Sequence, residues 1–449
     1  MRVASYRAPN FVFSEHEFEL PLDHAQPGGP TITVFAREVV TSAHEHDDRP
    51  WLVYLQGGPG FEAPRLLKLI DETWWERALQ DYRLLLLDQR GTGRSTPVGS
   101  LPDRSAPDQA EYLTHFRADS IVRDAEAIRK ELGIEKWSVL GQSFGGFCVV
   151  TYLSQAPEGL VEAFVTGGLP PLERHPDDVY RATYERTRAK NDAYYARYPE
   201  DRERVRSIVE RLETEDVRLP SGDRLTGRRF RQLGHVLGMS DGAETVHYIV
   251  ELPFGSPALL HDVELLQSFA RNPLYAVIHE ACYATGAATR WSADRVFPED
   301  VRDDPTFLTG EHIYPWMIEE YGALEPLAEA AQILAEHEWP ALYDVERLAG
   351  NEVPAAAAIY AEDMYVPPRV LGRDRRRHPR PPSLGDERVR ARRPARERQR
   401  RPRAAARSRP GPGLAPWRCS SSTMSRGASE AWSRSTTSRS RSSRARSRG

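Results

Sequence analysis

Apolar residues fall into two rhythms along this chain. Between about residues 30 and 172, apolar runs of strand length alternate with stretches of helical spacing. "PTITVFAREVV" (30–40) alternates as a half-buried strand does. "PWLVYLQGGPG" and "YRLLLLDQRGTGRS" are apolar runs that end in glycine-rich turns, the pattern of buried strands. "SIVRDAEAIRKELGI" has helical periodicity. "KWSVLGQSFGGFCVVTYLSQAP" reads as strand, sharp turn and helix, and "VEAFVTGGLPPL" as a further strand. Strands alternating with helices predict an α/β fold with a mostly parallel sheet.

The texture changes from about Glu173 to Trp339. "DVYRATYERTRAKNDAYYARYPEDRERVRSIVERLETE" is long, charged and helical, and the region is rich in aromatics. "VPAAAAIYAEDMYV" then returns to the buried-strand pattern. The predicted plan is a core (1–172), a helical insertion (173–339) and the core resumed (340–367). From 368 to 449 the sequence is rich in Arg, Pro and Ser with no apolar periodicity, and it reads as a disordered tail.

Charge sharpens that boundary. From Arg369 onward there are 25 Arg, no Lys and five acids; the whole-chain totals of 61 basic and 65 acidic residues leave 36 and 60 before it. The body is therefore about −24 and the tail about +20. An acidic body repels nucleic acid and favours cationic ligands. Three scattered cysteines (Cys148, Cys282, Cys419) make neither a disulfide framework nor a zinc site. The N-terminal residues show no signal-peptide pattern, and no apolar run reaches transmembrane length. The expectation is a soluble cytoplasmic protein with no membrane or nucleic-acid partner.

The chemistry centres on "VLGQSFGG", a G-x-S-x-G frame from Gly141 to Gly145 around Ser143. A nucleophile on a tight strand-to-helix turn sits in strained backbone, so its neighbours must be small. Such a frame also arises by chance in glycine-containing loops. Here an apolar run, "WSVL", precedes it and a helical run follows. Acyl transfer from a serine needs backbone N–H donors for the oxyanion, each worth about 2.7–4 kcal/mol of barrier. Phe144, just after the nucleophile, is one candidate; Gly57 and Gly58 in "LQGGPGF", after an early strand, supply the other.

"GGPG", "DQRGTGRS" and "GQSFGG" occur together and in this order, and the set resembles the proline iminopeptidases, serine aminopeptidases of the α/β-hydrolase fold. "FVTGGLPPL", "GEHIYPWM" and "YAEDMYVP" resemble the longer branch of that family, and the likeness spans about residues 10 to 367. It implies a helical cap, an acyl-enzyme, a peptide substrate with a free N-terminus, and no metal or cofactor. By the same resemblance Asp363 is the triad acid, and cap glutamates hold the substrate amine, with Glu280 and Glu311 as candidates. Arg90 and Arg94 read as structural, and so does His279, which precedes Asp363.

The triad order is Ser, Asp, His. Only His378, in "RRRHPRPP", follows Asp363, with no strand before it and arginines around it. Without a base the serine hydroxyl stays a weak nucleophile, so this chain is expected to be inactive or nearly so. The body's 32 Arg against 4 Lys suggest a GC-rich gene, whose shifted frame yields Arg, Pro, Ala, Gly and Ser. Back-translated from Pro368 and read one base on, synonymous codons permit "REFSAETAAAIRGLRPWVTNEYEHDGLR". This resembles the family's segment around its catalytic His, whose codon would straddle Ala391 and Arg392. One extra base near codons 367–368 accounts for the tail.

Two other readings stay open. An esterase of the same fold would prefer a substrate without a free amine. A non-catalytic binding protein using the basic tail would bind nucleic acid in a salt-sensitive way.

Overall fold

The computed structural model describes residues 2–66, 74–267 and 269–367. His378, Ala391, Arg392 and the predicted tail lie outside them. The described residues form one eight-stranded sheet from β1 (Arg2–Ala8), β2 (Phe11–Pro21), β3 (Thr31–Thr41), β4 (Trp51–Leu55), β5 (Arg83–Leu87), β6 (Trp137–Gln142), β7 (Leu160–Thr166) and β8 (Ala355–Ala358). The strand order is β1-β2-β3-β5-β4-β6-β7-β8. Pairings from β1 to β5 along that order are antiparallel, and those from β5 to β8 are parallel. The runs read as strands in the sequence became β3 to β8. Two strands were missed: β1 is exposed along most of its length, and β2, "FVFSEHEFELP", mixes charges into a mostly buried strand.

The parallel strands are apolar because helices cover them. Val53, Leu85, Val139 and Ala163 are at most 1 % exposed and pack with the helices Ala118–Glu131 and Phe144–Gln155 in the main core. Burying one such side chain contributes about 1.5–3 kcal/mol. β8 departs from the expected buried strand. It alternates half-buried and exposed positions, and Ile359 and Tyr360 just beyond it are 42 % and 44 % exposed. The physical reason is its place at the edge of the described sheet, paired on one side only, with β7.

Between β7 and β8 the described residues are helical and contribute no strand to the sheet. The long charged stretch becomes two helices, Pro176–Arg197 and Asp201–Thr214, separated at Tyr198-Pro199-Glu200. Proline suits a helix start and not its interior. These helices build a second core around Tyr194, Val205, Phe230 and Ile249, into which Met364 reaches from beyond β8. Among the described residues, no helix is long and apolar enough to cross a membrane.

"DQRGTGRS" is a structural knot. Arg90, 1 % exposed, donates to both Asp124 oxygens (2.7 and 2.5 Å) and to the carbonyls of Leu22, His115 and Pro21. Asp88, fully buried, accepts both Nη groups of Arg65 and the Arg94 amide. The Arg94 side chain instead pairs with Glu15 and Glu17 at the surface and lies 4.0 Å over the Phe35 ring.

Candidate active site

Ser143 follows β6 directly and precedes the helix Phe144–Gln155, with φ 53° and ψ −124°. A non-glycine residue at positive φ costs energy that the surroundings must hold in place. They do so by leaving no room. A Cβ on Gly141 would lie 2.1 Å from the Gly145 carbonyl oxygen, and one on Gly145 would lie 2.0 Å from that of Leu55. The Ser143 amide donates to the Thr166 carbonyl of β7 (2.9 Å), and its own carbonyl accepts from Gly146 (2.7 Å). The spacing of the motif is thus enforced by backbone packed on backbone.

The loop after β4 meets the same spot. A Cβ on Gly57 would stand 3.0 Å from Ser143 Cβ and 3.6 Å from its Oγ. Gly58 next to it has φ +130°, open to glycine and rarely to other residues. The Phe144 N–H belongs to the first turn of its helix, where amides lack intrahelical partners. Gly57 and Phe144 therefore meet at the serine from two elements, while a Cβ on Gly58 would instead face Gly60 and Phe61.

Asp363 comes in from beyond β8. Its Oδ1 accepts from the amides of Tyr365 (2.8 Å) and Val366 (2.9 Å). Burial raises its pKa, and those two amides oppose the rise. Two consecutive glycines that sequence reasoning left without a role join the parts. A Cβ on Gly168 would lie 1.9 Å from the Ser143 carbonyl oxygen, and one on Gly167 would lie 3.7 Å from Asp363 Oδ2. The signal was in "FVTGGLPPL", but a glycine pair after a strand does not say what it touches.

The two cap glutamates separate. Glu280 is buried, and its oxygens accept from the amides of Ala293 (2.8 Å) and Ser292 (3.0 Å), so it caps the short helix Ser292–Arg295. Burial pushes it up to about 7 against those hydrogen bonds. Half-buried Glu311 has one hydrogen-bond partner among the described residues, the Tyr275 hydroxyl, which donates to Oε1 at 2.5 Å. Loss of solvent pushes its carboxyl up to about 7 as well; the Tyr275 bond opposes this and nearby Asp363 adds to it. Tyr275 in turn abuts the loop after β4: a Cβ on Gly60 would lie 2.7 Å from the Tyr275 amide nitrogen. Glu311 thus lies within electrostatic reach of Asp363 and one residue from the Gly57–Gly60 loop. Tyr275 was not foreseen from the sequence.

Among the described residues, no histidine hydrogen-bonds to Ser143 or Asp363. His279 is 1 % exposed with neither ring nitrogen bonded, and burial pulls it down to about 4, so it is neutral near pH 7. Among the described residues, no group of three His, Cys, Asp or Glu side chains could hold a metal ion.

Residues 50–210 match the family model for the alpha/beta hydrolase fold. A proline iminopeptidase of Aeromonas sobria is 49 % identical over 365 residues, which cover 78 % of this chain and 85 % of the relative. The chain belongs to the proline iminopeptidase family. A second member, from Aspergillus aculeatus, is 38 % identical over 378 residues, covering 79 % and 84 %. The solved proline iminopeptidase of Mycobacterium smegmatis is 15 % identical, with a TM-score of 0.37 over 80 % of this chain and 85 % of that one. Membership in the proline iminopeptidase family makes the chain a hydrolase by descent.

Proposed function

We propose that this chain is built as a serine aminopeptidase that releases an N-terminal residue, proline first among them, from a peptide. Ser143 Oγ attacks the carbonyl of the first residue, and Phe144 with a Gly57 or Gly58 amide holds the oxyanion. An acyl-enzyme forms as the shortened peptide leaves, and water then releases the free amino acid. Asp363 orients a histidine that takes the serine proton and delivers it to the leaving amine. Glu311 holds the substrate's ammonium group, whose charge a half-dry carboxylate binds well. Glu280, with both oxygens occupied, shapes the wall behind it. The observation that carries this reading is the meeting of a strained Ser143 with Gly57 on one side and the Gly168–Gly167–Asp363 run on the other. A half-buried carboxyl beside that centre suits an amine-bearing substrate and gives an ester nothing.

We also propose that the frame shifts by one base near codons 367–368, so that this chain lacks its base and turns over at trace rates at most. Losing one triad member removes most of the rate, about 10⁴- to 10⁶-fold in a well-studied serine protease.

Amine recognition can be tested without turnover. L-prolinamide should bind the full chain, measured by calorimetry, and N-acetyl-L-prolinamide should bind at least about tenfold more weakly, as expected when one charge-assisted contact is lost. Equal binding of the two, or binding unchanged in Glu311→Gln, would remove Glu311 from the amine role.

A further inference from the structure

The cap carries a second, open cavity of about 270 Å³ in the helical region, lined by none of the groups assigned above. Its walls hold two opposite charges that have not found each other. Arg231 donates to the carbonyls of Phe307 (2.8 Å), Arg302 (3.3 Å) and Val301 (3.5 Å), and no carboxylate among the described residues lies within ion-pair distance of it. Asp294 lines the same cavity, and its carboxylate has no hydrogen bond or ion pair with any described residue. The remaining cations here are balanced and stacked. Arg228 pairs with Glu320 and lies 4.8 Å over Trp316; Arg302 pairs with Glu299 and lies 5.0 Å over Phe297.

A simple anion entering this space would meet Asp294, and a simple cation would meet Arg231. A molecule carrying both signs satisfies both, and Phe297 and Trp316 offer aromatic surface to an apolar body. The volume lies just under the range of drug-sized ligand pockets, about 300–1,000 Å³, which favours a small occupant. We propose that this cavity binds a free α-amino acid with an apolar side chain, its carboxylate at Arg231 and its ammonium at Asp294. The inference stands on these residues alone. If the aminopeptidase reading also holds, the ligand belongs to the same chemical class as the product.

Calorimetry on the full chain tests it, with L-phenylalanine as probe. The expected dissociation constant is on the order of 1 mM, as befits so few atoms. Phenethylamine and 3-phenylpropionate, each lacking one charge, should bind at least about tenfold more weakly. Asp294→Asn should weaken L-phenylalanine about tenfold, and Arg231→Gln should do the same if it folds; Asp294 holds no structural contact, so the Asn variant is decisive. Glu311→Gln should leave the binding unchanged. No saturable heat, equal binding of the single-charge analogues, or retention in Asp294→Asn would overturn the proposal. Loss in Glu311→Gln with retention in Asp294→Asn would place the ligand at the candidate active site instead.

Discussion

Glu311→Gln isolates the energetic cost of the candidate amine site. The carboxyl is held up to about 7 in the folded chain, against an ordinary value near 4.5. That gap of about 2.5 pH units, at about 1.4 kcal/mol each, means ionised Glu311 costs the fold roughly 3 kcal/mol. The sign follows from proton counting. Below about pH 4.5 folded and unfolded chains both hold the proton, and there is no cost. Between 4.5 and 7 the folded chain keeps a proton that the unfolded chain has lost, so stability falls as pH rises. Above about 7 the full cost is present. Glutamine carries no charge, and its carbonyl can still accept from Tyr275; its added N–H₂ takes back about 1 kcal/mol for want of a partner. The variant should therefore lie about 1 kcal/mol below the parent near pH 4.5 and exceed it by roughly 2 kcal/mol at pH 8. Urea unfolding at a series of pH values reads this directly. A variant no more stable than the parent at pH 8, or one whose advantage is the same at pH 5 and pH 8, would refute the reasoning.

Gly168→Ala places a methyl 1.9 Å from the Ser143 carbonyl oxygen, and it should cost about 3 kcal/mol or more in denaturant unfolding. Gly57→Ala meets Ser143 Cβ at 3.0 Å and should cost about 1 kcal/mol. Arg90→Ala leaves the buried Asp124 carboxylate with His24 as its one remaining partner among the described residues, at an expected loss of about 3–5 kcal/mol. Arg94→Ala breaks two surface pairs and the stack on the Phe35 ring and should cost about 1 kcal/mol in the same assay, well short of Arg90→Ala.

The parallel strands were legible because burial on both faces writes itself as unbroken apolar runs such as "RLLLL". The serine turn was legible because backbone crowding admits only glycine at Gly141 and Gly145. The N-terminal strands were not, because a hairpin whose charges face solvent or pair across strands, as Glu15 does with Arg37, has no apolar run to show. The exposure of β8 was hidden for another reason: alanine suits a buried or an open edge, and the neighbour decides. The division of labour between Glu280 and Glu311 was illegible because it depends on where distant amides, Ser292 and Ala293, happen to point. Gly167 and Gly168 were visible as residues and invisible as contacts.

The proposed aminopeptidase site is complete but for its base. The most direct measurement is hydrolysis of an N-terminal prolyl amide by two proteins side by side: this chain, and the chain expressed after one base is removed near codons 367–368. Turnover is expected in the second and should disappear on Ser143→Ala, with the first lower by at least about 10³-fold. Equal, Ser143-dependent turnover by this chain would contradict this expectation, and would mean that the base lies among residues already present.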